Sequence, residues 1–96
     1  MKRQGDLLII GVSAIPSHAK RTESFVLAEG EATGHRHELD GGEVYEQNGE
    51  LYFHVGDETQ VILTHPEHHS ITFFPGKYKV IRQREYRPEG WRYAPD

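Results

Sequence analysis

Turn-forming residues recur along this chain at intervals too short for helices to grow between them. Asp40-Gly41-Gly42, Asn48-Gly49, Gly56-Asp57-Glu58, His65-Pro66 and Pro75-Gly76 each stop a run before it reaches the roughly ten residues that a helix needs. The runs between them are rich in β-branched and aromatic side chains: Gly5 to Val12, Phe25 to Glu29, Val44 to Gln47, Leu51 to Val55, Thr59 to Thr64, Ser70 to Phe74 and Lys77 to Arg87. Leu51-Tyr52-Phe53-His54-Val55 alternates, which sets Leu51, Phe53 and Val55 on one face and Tyr52 and His54 on the other. Gln47-Asn48-Gly49-Glu50 reads as a two-residue type I′ hairpin, because Asn-Gly accepts the positive φ angles of that turn. Ser13 to Ser24 shows neither period and reads as a loop. The pattern predicts one all-β domain over 1–96, a small barrel or sandwich of about seven or eight short antiparallel strands, with 88–96 as a C-terminal tail.

Composition narrows the chemistry. The chain has 96 residues and no cysteine, which excludes disulfides, thiolate zinc sites and cysteine nucleophiles. The basic start, Met1 to Asp6, is followed by a short apolar run from Leu7 to Ile10. A secretory core needs roughly 7 to 15 apolar residues and a spanning helix about 20, so the expectation is a cytoplasmic protein with no membrane segment. No serine sits in an elbow motif, no glycine-rich phosphate loop is present, and no His-Glu-x-x-His occurs; no catalytic residue is assigned.

Charge runs plus, minus, plus. Residues 23 to 67 hold eleven acids against Arg36 alone, and this acidic middle also carries most of the histidines. Gly34-His35-Arg36-His37-Glu38-Leu39 places two histidines at i and i+2, on one face of a strand, so both rings reach toward one point. His65-Pro66-Glu67-His68-His69 lies far enough downstream to return beside them. Imidazoles and carboxylates in such a group suit a divalent transition metal such as zinc, iron, nickel or manganese. The candidate ligands are His35, His37, His65, His68 and His69, with Glu38 or Glu43 as a carboxylate; adjacent His68 and His69 point apart in an extended chain, so one of the two is expected to bind. The glycines from Gly30 to Gly34 permit a bulge just ahead of the pair.

Gly30, His35, His37, Glu43 and Gly49 resemble the first motif of the cupin superfamily, in which His-x-His, a glutamate and a further glycine lie on strands of a small β-barrel. The resemblance covers roughly residues 30 to 76 and does not extend to the family's second motif, since Pro75-Gly76 runs into Lys77-Tyr78. It implies that His35, His37 and Glu43 are metal ligands, with His65, His68 or His69 as a fourth, and that the protein acts on a small molecule. Gly-His-x-His together with Gln83 to Pro88 also resembles segments of small uncharacterised bacterial and phage proteins, a likeness that brings no activity with it.

The end of the chain suggests a different role. Lys77, Lys79, Arg82, Arg84 and Arg87 interleave with Tyr86 and Trp91, cations and rings of the kind that dock a partner. A net charge of −4 disfavours nucleic acid, which leaves a protein partner, a homo-oligomer or a place in an assembly as the alternative to a metal-binding enzyme.

Overall fold

Glycine and asparagine turns cut the chain into strands, and the alternation within each strand decides which residues the two resulting sheets enclose. The computed structural model describes residues 1–30 and 34–82, and the backbone of 84–87 and 90–93. Ten antiparallel strands among these residues form two sheets: β1 (Lys2–Gln4), β2 (Leu7–Val12), β3 (Lys20–Thr22), β4 (Val26–Glu29), β5 (Arg36–Leu39), β6 (Glu43–Gln47), β7 (Glu50–Val55), β8 (Val61–Thr64), β9 (Ile71–Phe73) and β10 (Gly76–Arg82). One sheet runs β1-β2-β10-β7-β6-β3 and the other β4-β5-β8-β9. No helix occurs among the described residues.

A single apolar cluster joins the sheets. Leu7, Ile9, Val44, Phe53, Val55 and Val80 from the first meet Leu27, Leu39, Val61, Leu63 and Phe73 from the second, as expected of a sandwich. At its centre Phe53 packs edge-on to Phe73, with ring centroids 5.2 Å apart, and stacks on Tyr78 at 4.9 Å. Leu51, Phe53 and Val55 do face this cluster, as their alternation predicts. Tyr52 on the outer face is nonetheless buried, because it lies between Tyr45 and Lys79 on the neighbouring strands.

Asn48 and Gly49 have φ values of 51° and 80°, the type I′ signature. Gly42 matters more, because β5 belongs to one sheet and β6 to the other, and the chain crosses between them at Asp40-Gly41-Gly42. Its φ is +85°, and a Cβ there would lie 3.0 Å from the His54 carbonyl oxygen. Gly42→Ala therefore carries both left-handed strain and a backbone clash, and should cost at least about 1–2 kcal/mol, measured as a lower denaturation midpoint.

The structure departs from the expected elements at both ends. Lys2–Gln4 forms a strand with no apolar alternation, because its backbone pairs with β2 through the Gly5-Asp6 turn. The stretch read as a loop holds β3, an edge strand of charged residues. A bulge lies in β4, between Val26 and Ala28 opposite Glu38 and His37, while the bulge expected in the glycine segment falls on residues 31–33, outside the described residues. The stretch from Lys77 to Arg87 divides into β10 and β11 (Arg84–Arg87), and the tail contributes β12 (Gly90–Tyr93), which pairs with β11 as a separate two-stranded sheet.

Candidate functional site

Strand alternation carries His37 inward with Leu39, and His65 inward with Val61 and Leu63. The β5–β8 ladder pairs Leu39 with Leu63 and Glu38 with Thr64, so one further step sets His37 against His65. Their ring centroids are 4.3 Å apart. Pro66 ends the run, and the turn that follows brings the His68 ring back to 4.5 Å from His65 and 6.1 Å from His37. His35 meets His65 edge to face at 5.6 Å. Four imidazoles from two distant segments thus form one contiguous group. His69 turns outward, as the adjacency of His68 and His69 predicts, and offers only its backbone carbonyl.

The floor of the group comes from the β1–β2 hairpin. Gln4 is 2% exposed, and its Nε2 donates to the carbonyls of Leu63 at 3.1 Å and His69 at 2.7 Å. That leaves Oε1 as the acceptor facing His37 Nδ1 at 2.9 Å, so the proton on this contact belongs to the histidine. His37 Nε2 then points to Oδ1 of Asp6, 3.5 Å away, and both side chains are fully buried. Arg82 clamps the other carboxylate oxygen, with Nε 2.8 Å from Oδ2, and donates Nη2 to the Glu29 carbonyl at 2.9 Å. His65 has the opposite bias: its Nδ1 accepts from the Glu67 amide at 3.0 Å. Glu67 also lies 3.4 Å from His35 Nδ1, and His68 Nε2 is buried with no hydrogen-bond partner among the described residues.

Two of these spacings bear on a metal. Imidazoles sharing an ion at about 2.1 Å from each nitrogen have ring centres roughly 5 Å apart, comparable with the separations here. A metal-bound histidine also commonly donates its second ring N–H to an oxygen, as His37 does to Gln4. Yet no group of three or more histidine, aspartate or glutamate residues among those described is disposed to hold an ion as the rings stand. His37 and His68 lie within 11° of parallel, and the His65 Nδ1 lone pair is already engaged by the Glu67 amide. A groove of about 510 Å³ lined by His35, Glu38, Thr64 and His65 opens the group to solvent.

Glu43 is not brought to this site. It sits directly across the ladder from His54 on the outer face of the six-stranded sheet, accepting from His54 Nδ1 at 2.9 Å and lying 3.4 Å from Arg21 Nη1. The reason is register: Val44 faces the core, so Glu43 must face away. The His54 hydrogen bond holds the Glu43 carboxyl below the ordinary carboxylate range; burial partly opposes it, and the Arg21 charge adds a smaller lowering effect. A depressed folded value means that this contribution is complete above the usual glutamate range and is lost as pH falls through the lower folded value. Glu43→Gln should therefore lower the neutral plateau slightly and leave stability at low pH unchanged, which flattens the acid limb.

Of the partner-docking residues, Lys79 pairs with Glu50 at 2.8 Å and Arg82 with Asp6, so both serve the fold. Lys77 is exposed. The side chains of Arg84, Tyr86, Arg87 and Trp91 lie outside the described residues. Gln4 and Asp6 are the site residues that sequence reasoning misses; the available signal was an aspartate at the head of the apolar run Leu7 to Ile10.

A family model described as a domain of unknown function (DUF8820) matches residues 3–83, a span containing every side chain of the group. No curated protein and no solved structure matches the chain.

Proposed function

The chain belongs to the DUF8820 family, a domain of unknown function, and from the geometry of its histidine group we propose that it is a small metal-binding β-domain. The ion would be a divalent transition metal, with zinc, iron, nickel and manganese the candidates by ligand type. His37 would be the anchored donor, because Gln4 holds the proton on Nδ1 and leaves Nε2, now 3.5 Å from Asp6 Oδ1, as the nitrogen that would turn to the ion. His35, His65 and His68 would complete the set, and His65 must first surrender its Nδ1 contact with the Glu67 amide if it is to donate.

The convergence of four imidazoles from β5 and the 65–69 turn, at centroid separations of 4.3 to 6.1 Å, carries this reading. An ion there would tie the end of β5 to the turn between β8 and β9, adding binding energy to a thin core. It would also lie at the base of the open groove, where a small ligand oxygen can approach. No reaction is assigned.

Metal analysis of untagged protein purified without nickel, followed by melting with and without chelator, tests the proposal. At a free zinc concentration one hundred times the dissociation constant, the gain is about 2.7 kcal/mol, or roughly 10 °C or more in a domain of this size. His37→Gln should abolish that gain. An unchanged melting temperature when zinc is added to the metal-free protein would overturn it.

A further inference from the structure

A second site lies on the outer face of the six-stranded sheet, remote in register from the histidine group. Glu43, His54 and Lys77 stand in one cross-strand row, since β7 pairs His54 with Glu43 on one side and with Lys77 on the other. The loop between β2 and β3 folds over this row and closes a groove of about 270 Å³ lined by Ile15, Pro16, Ser17, Tyr45, His54 and Lys77. Its walls are apolar at Ile15 and Pro16 and polar at the other positions.

Lys77 is the cation among the residues lining this groove. Arg21 is matched by Glu43, Lys79 by Glu50 and Arg82 by Asp6, whereas Lys77 makes no ion pair among the described residues. The Glu43 carboxylate is already bound by His54 and Arg21, which leaves the Lys77 ammonium uncompensated at the rim of a concave surface. His54, with Nδ1 committed to Glu43, has only Nε2 for any other group. A cation, two hydroxyl-bearing side chains and an apolar wall together suit an anion with an apolar body.

We propose that the groove between the β2–β3 loop and the Glu43–His54–Lys77 row binds a small organic anion, a carboxylate or phosphate monoester with a compact apolar body. Lys77 holds the charge, the hydroxyls of Ser17 and Tyr45 donate to the head group, and Ile15 and Pro16 cover the apolar part. The volume, at the lower bound of ordinary ligand pockets, restricts the ligand to about the size of one substituted ring.

Two-dimensional amide NMR of the whole chain, titrated with benzoate, phenyl phosphate and neutral benzamide, tests this. Saturable shifts are expected for benzoate or phenyl phosphate at Ile15, Ser17, Tyr45 and Lys77, and the tighter of the two identifies the head group. Benzamide should bind at least several-fold more weakly. Lys77→Gln should weaken the anion by roughly tenfold, as loss of one charge-assisted hydrogen bond does, while Lys77→Arg retains binding. Equal binding of benzamide, shifts scattered over Lys2 and Lys20, or anion binding by Lys77→Gln as tight as by wild type would each overturn the assignment. None of these readouts depends on metal at the histidine group.

Discussion

Asp6→Ala is expected to destabilise the folded domain by about 3–5 kcal/mol, read as a fall in the urea midpoint at neutral pH. The aspartate is fully buried, and its carboxylate both receives the Arg82 guanidinium and faces His37 Nε2. Removing it strands a cation whose side chain is only 25% exposed and unties the β1–β2 turn from β10 and β4. Asp6→Asn preserves the shape but not the charge and should fall between wild type and Asp6→Ala. Glu43→Gln, at a half-exposed pair on the sheet's outer face, should move the neutral midpoint very little by comparison.

Phe53→Ala should cost a similar amount, about 3–5 kcal/mol, through the cavity it leaves. Its ring is completely buried and contacts both Phe73 and Tyr78, so it links β7 to β9 and β10 across the two sheets. Typical domain stability is about 5–15 kcal/mol, so either substitution removes a large part of what holds the histidine group in register. The two differ in one respect that can be measured: Phe53→Leu should recover much of the loss, whereas no neutral side chain replaces Asp6 opposite Arg82.

Local chemistry made much of this architecture legible. Asn48-Gly49 and Asp40-Gly41-Gly42 announce turns because few other residues accept their φ angles, and Leu51 to Val55 announces its buried face by alternation alone. The return of His65 beside His37 was legible as a possibility, since both lie on strands of inward-facing alternation, but the pairing partner is a non-local choice that a single sequence does not encode. Glu43 illustrates the limit: the cupin-like spacing suggested a ligand, yet one residue of register, with Val44 turned to the core, puts it on the far face. Gln4 and Asp6 were illegible for a related reason. Lys2 to Gln4 has no apolar pattern, and its strand exists because the Gly5-Asp6 turn delivers its backbone to β2, with Gln4 alone of its side chains carried to the interior.

Histidine ring nitrogens report directly on whether the buried group takes a metal. Long-range proton–nitrogen correlation spectra of untagged protein should show His37 as the Nδ1–H tautomer before metal is added, held so by Gln4. Stoichiometric zinc should then move His37 Nε2 and a nitrogen of at least two among His35, His65 and His68, leaving His18 and His54 in place. Zinc that perturbs only exposed His18 and His69, with the His37 resonances unmoved, would contradict the metal-binding account.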